Sequence, residues 1–497
     1  MKAAVPSLLL AALAALIVGC VGPVNVKLGH YDDKAGYRYE VLASDGNSDD
    51  LFVILAFSGG GTRAAAFSFG VMEGLRDAAY TSAAGPRRLL DDVDVISSVS
   101  GGSFTAAYYG LFPKTFFDAF PDTFLHQDIQ GALIARALWP PNWFRLARVG
   151  WDRINLAAEL YDETVFDHKT FDDLLRDKRK PYIVLNATDM TLGQRFEFTQ
   201  EQFDLLCSNL GQLNVATAVA ASSAFPGLLS PLTLRNFAAE KCDYDKPQWL
   251  KDALDRDKNP PPRYLRARDL ASYQDQAAER TWIHLLDGGL ADNIGLRGPY
   301  VALTGEDIGW SVYRGINLDK VHRVVVITAN AKTKKRKDWD RRQSAPGLLD
   351  VLGLVTSGPM ENYSFDTVQL IRDHFTQLDR DAKAATDCTA RLEQGQCRVS
   401  LPGRAPTVAW HTLELSFDAI RDDALRVCME NLPTSFSLPK PTVTLLRQVA
   451  RALLAESGEF NEVMGELDPA WQPRRVAIDP TLQAEVCGPR EPEAARR

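Results

Sequence analysis

Short apolar segments, each followed by glycine or by a polar turn, most limit the ways in which this chain can fold. Leu51–Phe57 (LFVILAF) is a continuous apolar run that leads into glycines, and Val93–Val99 (VDVISSV) is a second short run. A helical pattern follows each of them, over Arg63–Ala79 and Phe104–Leu111. Continuous apolar runs are typical of strands whose two faces are both covered by helices, as in a parallel sheet.

The same alternation continues along the chain. Because strands of this kind alternate with helices, we predict an α/β protein, a three-layer α/β/α fold with a mainly parallel central sheet and helical insertions. The further predicted elements are strands at Tyr182–Asn186, Trp282–Leu286, His322–Thr328 and Thr407–Phe417, and helices at Tyr363–Leu378 and Val443–Ala455.

Residues 49–460 are predicted to form one large domain. Two segments within it interrupt the alternation of strands and helices. Residues 112–180 are helical and rich in aromatic residues, and residues 236–280 are charged and contain three consecutive prolines. Both are interpreted as insertions into the sheet framework. The aromatic insertion is either a lid or wall for an apolar ligand or, as is more common, ordinary helix packing. Residues 461–497 are polar and are predicted to be a surface tail.

The N-terminus predicts export. Lys2 precedes the apolar stretch Leu8–Val18, which at roughly ten residues is too short to span a bilayer. The stretch ends in Gly19-Cys20, which resembles the bacterial lipobox, where the cysteine thiol is diacylated. The alternative is a soluble signal peptide that contains a cysteine, but no A-x-A cleavage site follows the apolar stretch.

These features divide the start of the chain into two parts. Residues 1–19 are predicted to be a signal peptide, and residues 20–48 a lipid-anchored tether with one small strand. The residue after the anchor cysteine is Val21 and not the Asp that marks inner-membrane retention in some Gram-negative bacteria. The predicted location is therefore the bacterial cell envelope, lipid-anchored, at the outer membrane.

Six cysteines remain when Cys20 is set aside, and an even number suits disulfides in an oxidising compartment. Six cysteines allow 15 pairings, so the connectivity stays open. Six buried thiols are the alternative. No C-x-x-C or Cys/His cluster predicts a metal site. Pairing of sequence neighbours would give Cys207–Cys242, Cys388–Cys397 and Cys428–Cys487.

The net charge of −8 argues against a nucleic-acid partner, because phosphate contacts require a basic surface. The basic run Lys332–Arg342 (KTKKRKDWDRR) is the local exception. Two aspartates dilute it, and a solvated loop is favoured over contact with a membrane or phosphate.

The first chemical motif is Ser58-Gly59-Gly60-Gly61-Thr62-Arg63, between a predicted strand and a predicted helix. Consecutive glycines let backbone N–H groups turn toward one point, where they can stabilise an oxyanion. A phosphate loop uses similar physics, but its Gly-Lys-Ser/Thr ending is absent. Alone, the glycine run is a weak signal.

The second motif is Ser98-Val99-Ser100-Gly101-Gly102-Ser103, again at the end of a strand. It approximates the G-x-S-x-G elbow, in which a strained turn lifts the serine Oγ above the sheet. Ser98 and Ser103 are rival nucleophiles by residue type. Ser100 is preferred because it occupies the centre of the elbow before two glycines; the alternative is a plain Ser/Gly turn.

The third motif is Asp287-Gly288-Gly289, which continues to Asp292-Asn293-Ile294-Gly295. Asp287 is expected at the carboxyl-terminal edge of the parallel sheet, where functional side chains emerge. A carboxylate there could accept the serine proton, provided that burial or a hydrogen bond raises its pKa. The alternative is an Asx turn that caps the strand.

Together and in this order, the motifs resemble those of the patatin-like phospholipases. That family has a glycine-rich loop ending in Gly-x-Arg, a serine elbow, and a D-G-G or D-G-A motif with the dyad aspartate. Ala221–Pro226 (ASSAFP), Asp292–Gly295 (DNIG) and Leu432–Phe436 (LPTSF) resemble further blocks of bacterial members. The resemblance runs from about residue 50 to about residue 455. The departures are Ser58, Ala64 and Ser98. They leave substrate preference open.

The resemblance implies a lipid acyl hydrolase of phospholipase A or lysophospholipase type. Ser100 would attack the ester carbonyl, Asp287 would take the proton, and the N–H groups of Gly59, Gly60 and Gly61 would hold the oxyanion. No metal or organic cofactor is implied. The expected partners are a lipid or acyl-ester substrate and a membrane, with the oligomeric state left open.

The role of Arg63 and two competing functions remain open. Arg63 either braces the glycine loop or contacts a substrate phosphate, and bracing is favoured. A conventional α/β-hydrolase would need a histidine after the aspartate as the third member of its catalytic triad. The candidates are His322, His374 and His411. A non-catalytic surface lipoprotein that binds or assembles is the rival from another class.

Overall fold

The computed structural model describes residues 22–488, with gaps at 43–46, 83–84, 259–260 and 305–320 and across most of 334–407. The predicted signal peptide and Cys20 lie outside the described residues, as do the Cys388–Cys397 pair and most of the basic run. Within the described ranges, no helix is both long enough and apolar enough to cross a membrane.

The described part of the chain contains twelve strands, and all the predicted strands are among them. They are β1 (Val26–Lys27), β2 (Leu51–Phe57), β3 (Ala79–Ser82), β4 (Gly85–Arg88), β5 (Val93–Val99), β6 (Tyr182–Asp189), β7 (Gln194–Glu197), β8 (Ser208–Asn209), β9 (Leu232–Arg235), β10 (Trp282–Asp287), β11 (Arg323–Asn330) and β12 (Ala409–Ser416). Every residue of β2 and β5 is buried, which confirms that these strands are covered on both faces.

Helices flank the sheet and fill both insertions. They are α1 (Gly61–Asp77), α2 (Gly101–Leu111), α3 (Phe116–Phe120), α4 (Ile129–Leu138), α5 (Pro140–Leu146), α6 (Arg153–Tyr161), α7 (Phe171–Leu175), α8 (Gln200–Asp204), α9 (Val215–Ser222), α10 (Gln248–Ala253), α11 (Pro261–Asp275), α12 (Gly289–Asp292), α13 (Arg297–Thr304), α14 (366–378), α15 (Asp423–Glu430), α16 (Lys440–Glu456), α17 (Gly458–Leu467) and α18 (Pro480–Cys487).

The central sheet has eight strands in the order β12-β11-β2-β5-β6-β10-β9, with β7 paired to β6. The five strands from β12 to β6 are parallel. The strands β10, β9 and β7 join them by antiparallel pairing. The predicted α/β fold with a mainly parallel sheet is thus confirmed.

The direction of β10 corrects one expectation about the site. Asp287 was expected at the end of a parallel strand, but β10 runs antiparallel to β6 and pairs Asp287 with Ala187. In the neighbouring pair, Val99 at the end of β5 is opposite Asn186. Strand β6 extends past β5 to Asp189, so β10 runs back along that extension and ends at the level where β5 ends. Asp287 therefore reaches the same sheet edge from the opposite direction.

Helix α1 holds the glycine motif in a rigid position, because it is packed along nearly its whole length. Helix α16 lies so close to it that a Cβ on Gly70 would be 2.6 Å from the carbonyl oxygen of Arg447. Arg447 Nη2 also forms an ion pair with Glu73 Oε1 at 2.8 Å. A helix fixed on this side carries its first turn, and the glycines before it, with little freedom to move.

Two of the three pairs that neighbour pairing would give are present as disulfides, Cys207–Cys242 and Cys428–Cys487. The second one holds α18 to α15 and so corrects the prediction of a surface tail over 461–497. Val463 and Met464 are buried as well, because α17 packs on the domain. The described part of the tail is therefore integrated into the fold.

Part of the predicted tether, residues 20–48, packs against the domain. Its small strand, β1, pairs with β8. Tyr37 is almost fully buried, and its hydroxyl donates to the carbonyl of Ile183 in β6 at 3.1 Å. Arg38 is buried too and pairs with Asp204 at 2.6 Å. Tyr37 and Arg38 thus tie this segment to the core.

Candidate active site

Ser100 lies at a sharp turn between β5 and α2. Its backbone has φ 51° and ψ −120°, a conformation that a residue with a side chain adopts only when its surroundings impose it. The Ser100 N–H donates to Ser222 Oγ at 2.9 Å, and the Ser100 carbonyl accepts from the Ser103 N–H at 2.9 Å. These contacts hold the strained turn that the elbow motif predicts.

The elbow and the glycine loop are packed backbone against backbone. A Cβ on Gly101 would lie 2.0 Å from the carbonyl oxygen of Gly61. A Cβ on Gly102 would lie 2.7 Å from the Cβ of Phe57, at the end of β2. Glycine is required at both positions because any side chain would push the serine turn away from the loop.

We expect Gly101→Ala to lower the free energy of unfolding by about 2 kcal/mol and to reduce any hydrolytic activity sharply, because the new methyl overlaps a backbone carbonyl that cannot yield. Gly465→Ala in α17 is a matched control, since a Cβ there has nothing within 4 Å. Urea unfolding of both variants measures the difference. Equal stability of the two variants would contradict the close approach.

The other two candidate serines, Ser98 and Ser103, take part in a hydrogen-bond network in the protein interior. Ser98 and Ser103 are fully buried. Ser103 Oγ lies 2.9 Å from Ser222 Oγ and 3.2 Å from Ser98 Oγ, and Ser98 Oγ donates to the Val184 carbonyl at 3.3 Å. Their hydroxyls bond to other parts of the scaffold, so Ser100 is left as the candidate nucleophile of the three.

Asp287 is buried beside Ser100. Burial raises the pKa of its carboxyl from 3.8 to about 6, while hydrogen bonds from the Gly289 N–H and from the Ser100 side chain lower it. The Gly289 N–H donates to Asp287 Oδ1 at 2.8 Å, the Asx turn that we considered as the structural alternative. The turn and the contact with Ser100 coexist, because the carboxylate has two oxygens.

The segment Ala221–Pro226, noted in the sequence, joins these two residues. Ser222 accepts from the Ser100 N–H through its Oγ and from the Gly288 N–H through its carbonyl, at 2.9 and 3.1 Å. The Ala224 carbonyl accepts from the Asp287 N–H at 3.1 Å. We did not identify Ser222 as a positioning residue from the sequence, although the motif that contains it was the available signal.

The three glycines of the loop are not equivalent. The Gly59 N–H donates to the Asn293 carbonyl at 3.0 Å and is therefore not free for a ligand. Gly60 and Gly61 have φ of 142° and 62°, and no acceptor among the described residues bonds to their N–H groups. The expected set of three N–H donors is thus reduced to two, because the DNIG segment uses the first.

The glycine loop also lies next to the serine. A Cβ on Gly59 would be 3.3 Å from the Cβ of Ser100. Asn293 approaches from the other side, with its Oδ1 2.5 Å from that same Cβ position. The segment from Asp287 to Gly295 therefore packs against the glycine loop through Asn293, in addition to supplying Asp287.

Arg63 is buried in the first turn of α1. Its Nε donates to the Ala331 carbonyl at 2.9 Å, and its Nη1 donates to the Leu432 carbonyl at 3.0 Å and to Thr434 Oγ1 at 3.2 Å. Burial lowers the pKa of its guanidinium to about 10. These contacts support the bracing interpretation, because they tie the glycine loop to β11 and to the segment before α16.

The chain has seven histidines, all within the described residues, and none hydrogen-bonds to Ser100 or Asp287. His322 pairs with Asp50 at 2.7 Å and His411 with Glu466 at 3.2 Å. His374 lies 3.3 Å from the hydroxyl of Tyr300. The arrangement of a Ser-Asp-His triad is absent from the described part of the chain.

A cavity of about 650 Å³ in the described structure does not belong to this site. It opens beside Val93 and Pro181, at the amino ends of β5 and β6, whereas Ser100 follows the carboxyl end of β5. Among the described residues, no cluster of three or more His, Cys, Asp or Glu side chains could hold a metal ion.

Residues 55–300 match the family model described as patatin-like phospholipase. No protein with a curated function matches the chain.

Solved structures resemble the chain only weakly. Human GIVD cytosolic phospholipase A2 in complex with methyl gamma-linolenyl fluorophosphonate is 11% identical, with a TM-score of 0.39, over 84% of this chain and 59% of that one. This chain thus spans less than two thirds of the human protein. VipD from Legionella pneumophila is 10% identical, with a TM-score of 0.27, over 90% and 75% of the two chains.

The family match covers the elements that carry the site. It begins in β2, before the glycine loop, and ends in α13, after the Asp287 motif, so Ser100 and the Ala221–Pro226 segment fall inside it. Residues 55–300 of the chain thus belong to the patatin-like phospholipase family.

Proposed function

We propose that this protein is a serine acyl-ester hydrolase that releases fatty acids from membrane lipids, with Ser100 as nucleophile and Asp287 as general base. One observation carries the proposal: the strained Ser100 lies beside a buried carboxylate, that of Asp287, whose pKa burial raises to about 6. A carboxylate with this pKa is largely ionised at neutral pH and still basic enough to accept a proton.

In the proposed reaction, Ser100 Oγ attacks the ester carbonyl and its proton passes to Asp287. The oxyanion that forms accepts hydrogen bonds from the N–H groups of Gly60 and Gly61. The alcohol leaves with the proton from Asp287, and an acyl-serine remains. Water, deprotonated by Asp287, then attacks the acyl-serine, and the fatty acid is released as Ser100 regains its proton.

A fluorophosphonate probe tests the nucleophile directly. Attack by Ser100 would form an Oγ–P bond and expel fluoride, so mass spectrometry of a digest should find the adduct on Ser100. Protein from the same preparation that was not treated with the probe should release fatty acid and lysophospholipid from phospholipid vesicles. An adduct on another serine, or no adduct together with no released fatty acid, would disprove the proposal.

The raised pKa predicts the pH dependence. We expect kcat/KM on a water-soluble acyl ester to fall about tenfold per pH unit as the pH is lowered below about 6, because protonated Asp287 cannot accept the serine proton. The measurement is a pH–rate profile, with thermal unfolding at each pH to exclude loss of fold. A profile that stays flat down to about pH 4 would mean that the base has the pKa of an exposed aspartate.

We also propose that Cys20 carries a diacylglyceryl group that anchors the protein at the outer membrane. The support is the sequence alone: a basic start, a short apolar stretch and Gly19-Cys20. Metabolic labelling with a fatty acid should mark the wild type and not Cys20→Ser, and labelling of both would exclude Cys20 as the acylated residue. Membrane fractionation of the labelled wild type would separate inner from outer membrane.

A further inference from the structure

Helices α4 and α5, in the aromatic insertion, present an exposed surface that is almost entirely apolar. Every exposed residue between positions 134 and 149 is apolar. Trp139, Trp143 and Phe144 are 62%, 57% and 58% exposed, so ordinary helix packing does not explain them. The large side chains of this surface, which we call the apolar surface, are Ile134, Leu138, Trp139, Trp143, Phe144 and Val149. A contiguous patch of this kind marks a site of interaction.

The charges around the apolar surface indicate its partner. Residues 129–151 contain three arginines and no acidic residue, in a chain of net charge −8. Arg136 and Arg145 pair with Glu163 and Glu159 on one flank. Arg148 forms no ion pair within the part of the chain that the structure describes. Tryptophan with arginine beside an apolar face is typical of segments that lie in a lipid interface, where the ring enters the headgroup region.

One side of the apolar surface is connected to the glycine loop. Gln130, in the first turn of α4, accepts through its Oε1 from Ser435 Oγ at 2.8 Å, and its N–H donates to the Phe436 carbonyl at 3.3 Å. The Ser435 carbonyl in turn accepts from the Thr62 N–H at 2.8 Å, directly after the glycines. Two hydrogen bonds, from Ser435 to Gln130 and from Thr62 to Ser435, therefore connect the start of α4 to the residue that follows the glycines.

The other side is connected to Asp287. Arg153, at the start of α6, donates through its Nη1 to the Gly227 carbonyl at 3.1 Å. Gly227 lies in the loop after Ala224, whose carbonyl accepts from the Asp287 N–H at 3.1 Å. Phe225 in the same loop is also apolar and is 37% exposed. The insertion thus spans from one wall of the site to the other.

From these observations we infer that the apolar surface docks on the surface of a phospholipid bilayer and holds the Ser100 site at the interface. The aromatic side chains would enter the headgroup region, and Arg148 would lie beside an anionic phosphate. An acyl ester could then reach Ser100 from the bilayer without crossing bulk water. The inference rests on the proposed function for its purpose, but vesicle binding can be measured without catalysis.

The test uses the full chain with Cys20→Ser, so that no acyl anchor contributes. Flotation with vesicles of phosphatidylcholine and phosphatidylglycerol should recover this protein. Trp139→Ser combined with Trp143→Ser and Phe144→Ser should lower its vesicle partition by about tenfold or more, because these rings supply most of the apolar area that would be buried. Hydrolysis of a water-soluble ester should change by less than about twofold, since none of the three rings contacts Ser100 or Asp287.

A matched control changes apolar side chains of similar exposure elsewhere. Leu370 and Val427 are 55% and 50% exposed, and Leu370→Ser with Val427→Ser should leave flotation unchanged. Ser100→Ala should float like its parent, so a failed hydrolysis assay and a failed docking assay are distinguishable. Equal flotation of parent and triple variant would overturn the inference. A parent that does not float, but dimerises in light scattering through the three rings, would assign the apolar surface to a second copy.

Discussion

Replacing Ser100 with alanine should lower kcat/KM on a water-soluble acyl ester by on the order of 10⁴ or more, to the level that the oxyanion donors and binding alone provide. The reason is chemical: without Oγ no acyl-serine can form, and the Asp287 carboxylate has no proton to accept. The fold should be retained, because the Ser100 contacts that hold the turn are made by its N–H and its carbonyl. Initial rates, with urea unfolding as a check of stability, measure the effect.

The two neighbouring serines serve as controls. Ser98→Ala and Ser103→Ala remove one hydroxyl each from the buried network and should reduce activity by less than about tenfold, with a stability loss of about 1 kcal/mol. If either of them abolished hydrolysis while Ser100→Ala remained active, the nucleophile would be wrongly assigned.

Asp287→Asn should have two opposite effects, a loss of activity and a gain of stability. An asparagine cannot accept the serine proton, so kcat/KM at pH 8 should fall by on the order of 10³–10⁴. The same substitution removes a buried charge. A loss of activity together with a gain of stability is common where an active site holds a group in an unfavourable environment.

The stability effect has a defined pH dependence. The folded-state pKa of Asp287 is raised from 3.8 to about 6, so the folded protein binds this proton more tightly than the unfolded chain. The free energy of unfolding therefore falls as the pH rises from about 4 to about 6, by up to about 3 kcal/mol from this group. Asparagine stays neutral, so Asp287→Asn should be more stable than wild type at pH 8 and nearly equal to it at pH 4.

Denaturant unfolding of both proteins at the two pH values measures this difference. A variant that is less stable than wild type at pH 8 would mean that the carboxylate is stabilised in the fold, and that the raised pKa is incorrect. Retained activity at pH 8 would exclude Asp287 as the base, whatever its pKa.

Some elements were predictable because local chemistry decides them. The continuous apolar residues of β2 and β5 require burial on both faces, and the structure buries them. The glycines around Ser100 were predictable for a related reason, since a tight turn against another backbone excludes a Cβ at Gly101. The two disulfides join sequence neighbours, although six cysteines alone left 15 pairings open.

Other features depend on pairing, which a strand pattern does not encode. An apolar run such as Trp282–Asp287 reads the same whether its neighbour is parallel or antiparallel. The length of β6 beyond the end of β5 makes the antiparallel choice possible and delivers Asp287 to Ser100. Likewise, the N–H of Gly59 is used by Asn293, a residue more than two hundred positions away.

The sequence alone thus predicted three motifs and their order along the chain: a glycine loop, a serine elbow and an aspartate turn. Contacts among residues that are near neighbours in sequence specify each of these motifs. Long-range packing decided which of these groups are free to act. The fold buries Asp287 and so raises its pKa, it commits Gly59 to Asn293, and it leaves the rings of α5 in solvent. Desolvation and hydrogen-bond competition depend on everything that surrounds a group in space, and no local segment contains that information.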